Sequence, residues 1–117
     1  VSDAFVCQMD LLASLSALVG ESYSARTDSQ NTLSAFLGFS QEGRKELVME
    51  GMLDYAFRQG DWTLIPPYGA NQEYELYNVK KDPGQTTNVA AKYPDLLRKL
   101  IRRFEHLKRT IGKVTDF

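Results

Sequence analysis

Few side chains in this sequence could act as a nucleophile. Cys7 is the only cysteine and His106 the only histidine among 117 residues. A reactive cysteine needs a neighbouring base or cation that lowers the pKa of its thiol, whereas Phe5, Val6, Gln8 and Met9 surround Cys7 in the sequence. We therefore predict that Cys7 is a small structural residue. A small hydrolase that pairs Cys7 with His106 is the weaker alternative.

The sequence also contains few candidate metal ligands. One cysteine and one histidine cannot supply a zinc site made of several such residues. Asp54, Asp61 and Asp82 are the remaining candidate ligands, but their spacing matches no Ca²⁺-binding loop, and each is explained better as a turn residue. We predict no catalytic, cofactor-binding or metal-binding residue in the chain.

Cations are concentrated in the last predicted helix, at Arg98, Lys99, Arg102, Arg103, Lys108 and Arg109. A nucleic-acid site would also need side chains that read or stack on bases, and no aromatic residues alternate with these charges. The formal net charge of −1 gives no overall attraction to nucleic acid or to an acidic membrane. We predict a solvated helix surface, with neither nucleic acid nor membrane as a partner.

The chain has no run of about 20 apolar residues, so no transmembrane helix is predicted. Val1 is not an initiator methionine, and no basic segment precedes the first apolar stretch, so we expect the start to be the interior of a longer reading frame. A single cysteine allows no disulfide within the chain and leaves the cellular compartment open.

Two helices are predicted in the first part of the chain. From Ser2 to Val19, apolar residues recur every three or four positions and predict a helix with one apolar face, followed by Gly20 as its cap. The members of that face are Phe5, Met9, Leu12, Leu15 and Val19, widened by Leu11 and Leu18. A shorter helix is predicted over 29–37, with Asp28 as its N-cap and Gly38 as its stop.

The pattern then changes to that of strands. Residues 46–49, 55–58 and 62–65 are predicted strands, and Gln59-Gly60-Asp61 joins the last two as a hairpin. Another strand is predicted over 74–79, after a flexible loop at 68–73 and before the turn Asp82-Pro83-Gly84.

A long helix is predicted to begin at Pro94 and to end at Gly112, before a loose tail. Its apolar stripe consists of Leu96, Leu97, Leu100, Ile101, Phe104, Leu107 and Ile111. The order of elements predicts an α+β fold: a small antiparallel sheet of three to four strands packed against the long C-terminal helix and preceded by one or two helices.

Several segments resemble the sulfatase family, in order and over nearly the whole chain. Met9–Gly20 is similar to "xDLLPTLxxLAG", and Asp28–Asn31 with Phe36–Gly38 is similar to "DSxN…LLG" of arylsulfatase-like members. Tyr55–Ile65 resembles "xAIRxGxWKLI", and Glu75–Ala90 resembles "ELYDLxxDPGETTNLA", which is the strongest of these signals. The sequence departs from the family at Ala13, Thr63, Asn78 and Gln85, where proline, lysine, aspartate and glutamate are usual.

The resemblance implies the C-terminal portion of a sulfatase. Residues 1–43 would be a helical segment from the edge of the catalytic domain, and residues 44–117 would be the C-terminal subdomain. Sulfatases use a formylglycine made from the first residue of Cys/Ser-x-Pro-x-Arg. The residues two positions before the four prolines are Leu64, Ile65, Lys81 and Lys92, so no such motif occurs. The ligands of the divalent cation, typically Ca²⁺, also lie upstream in the family.

The resemblance therefore implies a structural part of a sulfuric ester hydrolase that is inactive alone and has the catalytic domain of the parent chain as its partner. We expect no cofactor in this chain and Ca²⁺ in the parent sulfatase, which the resemblance would place outside the cell, in the periplasm or in the lysosome. A non-enzymatic protein-interaction domain is the alternative. An apolar face that normally meets the catalytic domain would make the isolated chain self-associate. The loop Tyr68–Glu73 is a hypothetical specificity element, because variable loops on rigid scaffolds often carry specificity.

Overall fold

The computed structural model describes residues 1–23 and 27–111. The chain divides into two compact units, Val1–Lys45 and Glu46–Phe117. The predicted helix stop at Gly112 and the predicted tail after it lie outside the described residues.

The helices of the first unit are shorter than predicted. A single 3₁₀ turn at Gln8–Asp10 leads into α1, Leu11–Leu18, so the prediction that the helix begins at Ser2 is wrong. The segment before Gln8 contacts the end of the unit instead, where the Arg44 N–H donates to the Phe5 carbonyl over 2.6 Å. Gly20 follows α1 with a φ of +80°, a conformation that favours glycine, which confirms the predicted cap.

The second helix, α2, covers only Leu33–Phe36. Its predicted start near Asp28 is wrong because the preceding polar residues bind α1 rather than continue a helix. The Thr32 N–H donates to Ser14 Oγ over 3.0 Å, and Ser29 Oγ accepts from the Ala13 N–H over 3.0 Å. Short polar side chains that satisfy the backbone in this way compete with helix formation.

The predicted apolar face of α1 is largely exposed. Ala13 and Ser14 are the buried residues of the helix, whereas Leu12 is 52% exposed and Leu15 is 53% exposed. Met9, Leu11, Leu18 and Val19 are exposed as well. Within the described residues, α1 therefore packs through its small side chains rather than through its leucines.

The second unit contains an antiparallel sheet in the order β1-β2-β3-β4. The strands are β1, Glu46–Glu50; β2, Tyr55–Gln59; β3, Trp62–Ile65; and β4, Glu75–Asn78. Gln59 is opposite Trp62, so Gly60 and Asp61 form a two-residue hairpin loop in which Gly60 has a φ of +58°. Glycine at the first loop position of such a hairpin matches the right-handed twist of the strands.

The long helix, α3, spans Pro94–Ile111 and packs on one side of the sheet. The core between them consists of Phe57, Leu64, Leu76, Ala90, Leu100 and Phe104, all nearly or completely buried. Alternation along the strands points every second side chain at α3, and the predicted apolar stripe of the helix meets them between Leu96 and Leu107. Burial of each large side chain stabilises the unit by about 1.5–3 kcal/mol. The predicted α+β fold is confirmed.

Candidate functional site

The two residues of the hypothetical nucleophile pair lie in different units. Cys7 is half-buried at the end of the extended segment before α1. His106 lies on the exposed side of α3. Among the described residues, the recorded electrostatic partner of His106 is Glu46 of the second unit, and no hydrogen bond of the Cys7 thiol is recorded, so the Cys7–His106 pair gains no support.

The three aspartates considered as metal ligands occupy three separate turns. Asp54 closes the β1–β2 loop by accepting the Gly51 N–H at its carbonyl, and the Asp61 carbonyl accepts the Val79 N–H over 2.8 Å. Asp82 begins the predicted turn, and its carboxylate accepts the backbone N–H groups of Thr86 and Thr87, each over 2.9 Å. These bonds lower the pKa of Asp82.

The segments 1–23 and 27–111 contain no group of three or more His, Cys, Asp or Glu side chains that could hold a metal ion. Within the same residues, no helix is both long and apolar enough to cross a lipid bilayer.

The predicted flexible loop at 68–73 contains a small hairpin. Tyr68 and Asn71 exchange both backbone hydrogen bonds, each over 2.9 Å, around Gly69 and Ala70. Gly69 has a φ of +54°, which permits the tight reversal. The phenol ring of Tyr68 is 40% exposed at the base of this turn. The loop therefore has a defined backbone path, which the sequence did not reveal.

A carboxylate anchors this hairpin to the sheet. Glu75 accepts the Asn71 side-chain amide at one oxygen and the Tyr77 hydroxyl at the other, each over 2.6 Å. The bond to Glu75, together with burial, raises the pKa of Tyr77 to about 12. Tyr77 pairs with Thr63 on the side of the sheet opposite α3, where both are buried. The alternation of side chains along β4, which places Glu75 and Tyr77 on the same face, is the feature of the sequence that could have revealed this contact.

One small cavity of about 100 Å³ lies at the end of β3 and β4. Trp62 and Tyr93 form its aromatic wall, with ring centroids 5.1 Å apart in an edge-to-face arrangement. Asn78, Lys81, Asp82, Thr87 and Val89 complete the lining. The cavity is smaller than the pockets that bind drug-sized ligands. Its aromatic pair contributes to packing between the sheet and the start of α3.

A buried ion pair holds the first unit together, and sequence reasoning missed it. Arg44 Nε donates to both carboxylate oxygens of Asp10, over 2.9 and 2.8 Å, and the two side chains are 5% and 0% exposed. The Gln30 N–H also donates to Asp10 over 2.9 Å, while Arg44 donates to the Asp28 carbonyl. The pair joins residues 34 positions apart, so no local pattern could have revealed it.

Two known proteins that are similar in sequence to this chain are both sulfatases. An N-acetylgalactosamine-6-O-sulfatase of Bacteroides thetaiotaomicron is 29% identical over 121 residues, which cover 90% of this chain and 24% of the relative. An uncharacterized sulfatase of Schizosaccharomyces pombe is 36% identical over 62 residues, covering 51% of this chain and 11% of that protein. The chain corresponds to the C-terminal part of a sulfatase. No family model matches it.

A solved structure supports the same assignment. A protein from a study of how Bacteroides thetaiotaomicron metabolises multiple glycosaminoglycans superposes on this sulfatase fragment with a TM-score of 0.81 and 27% identity. The match covers 92% of this chain and 26% of that one. The fragment thus spans about a quarter of the length of the relatives that it matches over most of its own length.

The structure explains one departure from the family pattern. Ala13 is the third residue of α1, and its N–H has no acceptor within the helix. This N–H donates to Ser29 Oγ over 3.0 Å. A proline, which is usual at this position in the family that the sequence resembles, has no N–H and would leave Ser29 without this donor.

Proposed function

We propose that this chain is the structural C-terminal subdomain of a sulfatase that hydrolyses sulfate esters carried on sugars. The observation that carries the proposal is the match over 90% of the chain to an N-acetylgalactosamine-6-O-sulfatase. The source of the structural neighbour, a study of glycosaminoglycan metabolism, supports a sulfated carbohydrate as the substrate class.

In this proposal the residues that perform the chemistry lie in the rest of the sulfatase. The described part of the chain has no cluster of side chains suited to Ca²⁺, and the 117 residues contain no Cys/Ser-x-Pro-x-Arg motif, so we assign neither this ion nor the formylglycine to the chain. The 117-residue chain would then complete the fold without hydrolysing sulfate esters by itself.

The exposed side of α1 supports the proposed contact with the catalytic part. Leu12, Leu15, Leu18 and Val19 are each more than half exposed, although α1 itself is well formed. An apolar patch of this kind on a soluble protein marks an interaction surface. Since the N-acetylgalactosamine-6-O-sulfatase is about four times longer than its matched segment, we propose that the remaining part of the sulfatase covers this face.

The test uses a longer sulfatase that contains this segment, assayed for sulfate release from 6-O-sulfated N-acetylgalactosamine. We expect turnover by the longer enzyme, none by the 117-residue chain, and loss of active, soluble enzyme when Leu12 and Leu15 are both changed to Asp. Changing the exposed Lys80 to Asp is the control. Sulfate release by the 117-residue chain would refute the proposed division of roles.

The alternative function is a non-enzymatic interaction domain, which the same exposed leucines favour. In that case the chain would exist free of any catalytic part. Sedimentation velocity discriminates between the two functions. Concentration-dependent self-association that the Leu12→Asp/Leu15→Asp variant abolishes agrees with an uncovered face of a larger enzyme. A monomer that stays soluble at high concentration would favour an independent module.

The loop Tyr68–Glu73 is proposed as a specificity element of the same enzyme. Its support is the rigid anchoring of the hairpin by Glu75 and Asn71, together with the exposed ring of Tyr68. Rigid elements position substrate contacts better than mobile ones. Changing Tyr68 to Ala should alter the preference among sulfated sugars, measured as the ratio of kcat/KM values. An unchanged ratio would remove the loop from the proposal.

A further inference from the structure

The charge of the chain is unevenly distributed, and α3 carries most of the positive excess. This 18-residue helix contains six of the 14 Lys and Arg residues and two of the 15 acidic residues, in a chain whose formal net charge is −1. The helix is therefore +4, and the remainder of the chain is acidic overall. Such a local excess attracts anions even when the whole molecule does not.

Three of these cations are already engaged within the second unit. Arg98 forms an ion pair with Asp95, and Arg103 forms one with Glu46. Lys108 Nζ lies 5.1 Å from the ring centroid of Tyr55, in a cation–π contact.

The other three cations, Lys99, Arg102 and Arg109, lie on one side of the helix, and we call them the basic ridge. All three are exposed, and none forms an ion pair with another residue in the described part of the chain. Their spacings of three and seven residues put them on one side of the helix, along roughly 15 Å. His106 is exposed on the same side.

The two acidic residues of α3 offset only part of its positive charge. Asp95 lies on the same surface as Lys99 and Arg102, where it forms an ion pair with Arg98. Glu105 is half-buried, and its charge contributes, after burial, to raising the pKa of Tyr74, a residue packed against the core. Glu105 is also three residues after Arg102 and four before Arg109, so its charge reduces that of the ridge without cancelling it.

The residues of the ridge and the packing of α3 indicate which class of anionic ligand the ridge could bind. The apolar side of α3 is packed against the sheet, so the helix cannot insert that side into a membrane as interfacial helices do. The ridge carries no aromatic residue on which a nucleic-acid base could stack. What remains is a row of ammonium and guanidinium donors, which suits a chain of repeated oxyanions.

We propose that the basic ridge of α3 binds a sulfated glycan chain through the sulfate groups of successive sugar units. This inference rests on the proposed function, because it takes the ligand class from the sulfatase assignment. Each exposed charge contact is weak by itself, so affinity depends on the three cations acting together on a polymer.

The experiment measures binding of the longer sulfatase to chondroitin 6-sulfate by affinity gel electrophoresis, with unsulfated chondroitin and poly(U) as comparison polymers. The test variant is Lys99→Gln/Arg102→Gln/Arg109→Gln. The control, Lys45→Gln/Lys80→Gln/Lys92→Gln, removes the same charge from exposed positions elsewhere. Thermal unfolding midpoints equal to that of the unmodified enzyme establish that both variants are folded.

We expect the test variant to bind chondroitin 6-sulfate about tenfold more weakly, as three lost surface contacts imply. The control should bind within about twofold of the unmodified enzyme, and added salt should weaken binding. Equal losses in both variants would mean that only net charge matters and would overturn the proposal. Equally tight, ridge-dependent binding of poly(U) or of unsulfated chondroitin would overturn it as well.

The proposed function is tested separately by sulfate release from a monosaccharide sulfate ester. An enzyme that releases sulfate but shows no ridge-dependent binding refutes the glycan site alone. An enzyme that releases no sulfate refutes the proposed sulfatase activity, whether or not it binds the sulfated polymer.

Discussion

Changing Arg44 to Met tests how the first unit is held together. The change removes both hydrogen bonds from Arg44 Nε to Asp10, together with the bond to the Asp28 carbonyl, and leaves a carboxylate that is 0% exposed with the Gln30 N–H as its recorded donor. Breaking a buried ion pair by removing one partner costs about 3–5 kcal/mol. Because whole domains are stable by only about 5–15 kcal/mol, this loss should open the unit.

Hydrogen exchange measured by mass spectrometry suits this prediction, because it reports on each unit separately. We expect the protection of peptides from α1 and from residues 28–36 to fall by at least about 100-fold, which corresponds to about 3 kcal/mol. Peptides from the sheet and α3 should keep their protection. The control is Lys45→Met, which removes the neighbouring exposed cation.

A second variant tests whether an apolar pair can replace the ion pair between Asp10 and Arg44. Changing Asp10 to Leu together with Arg44 to Met removes both charges, and such replacements are often neutral or stabilising when they pack well. The double variant should therefore recover much of the protection that Arg44→Met loses. Two results would refute the reasoning: exchange in Arg44→Met equal to that in the control, or a double variant less protected than Arg44→Met alone.

Three further predictions concern the second unit. Changing Phe104 to Ala should cost about 3–5 kcal/mol in urea unfolding followed by Trp62 fluorescence, because the ring is 1% exposed in the core; a loss below about 1 kcal/mol contradicts the packing. Changing Gly60 to Val should cost about 1–2 kcal/mol, because a side chain disfavours the φ of +58°, and an unchanged midpoint contradicts the hairpin geometry. The pKa of Tyr77 is raised to about 12 by Glu75, so its stabilising effect is complete below pH 10 and is lost as the pH rises towards 12. Changing Tyr77 to Phe should weaken this alkaline dependence, and an identical pH profile for the two proteins would contradict the cause.

The sheet and α3 could be predicted from sequence because their signals are local. Alternation along β2 and β3, the Gly60 loop and the stripe on α3 all specify structure within a few residues. Each apolar face also finds its partner inside the same unit, so the periodicity and the observed burial agree. The sulfatase family could also be recognised from sequence, because the most similar segment, Glu75–Ala90, is continuous and contains both β4 and the turn at Asp82.

The first unit could not be predicted in the same way, and the reason is physical. Its buried interior is largely polar, consisting of Asp10, Ser14, Thr32 and Arg44 with two alanines, and it is organised by hydrogen bonds between distant residues. Apolar periodicity identifies a face that seeks burial but does not say whether the partner lies within the chain. In α1 the periodic leucines are exposed, so periodicity identified the apolar face but not the small and polar residues that α1 buries.

The contrast between the units bears on the proposed function. The second unit closes a core of its own around Phe57 and Phe104, whereas the first unit fixes its backbone with an ion pair and leaves its leucines exposed. Buried ion pairs can fix a geometry without adding net stability, and we propose this role for the pair of Asp10 and Arg44. A helix held in place by Asp10 and Arg44, with an uncovered apolar side, is what a preformed docking surface requires. Under the proposed function, the free energy gained by covering Leu12, Leu15 and Leu18 becomes available only in the complete sulfatase.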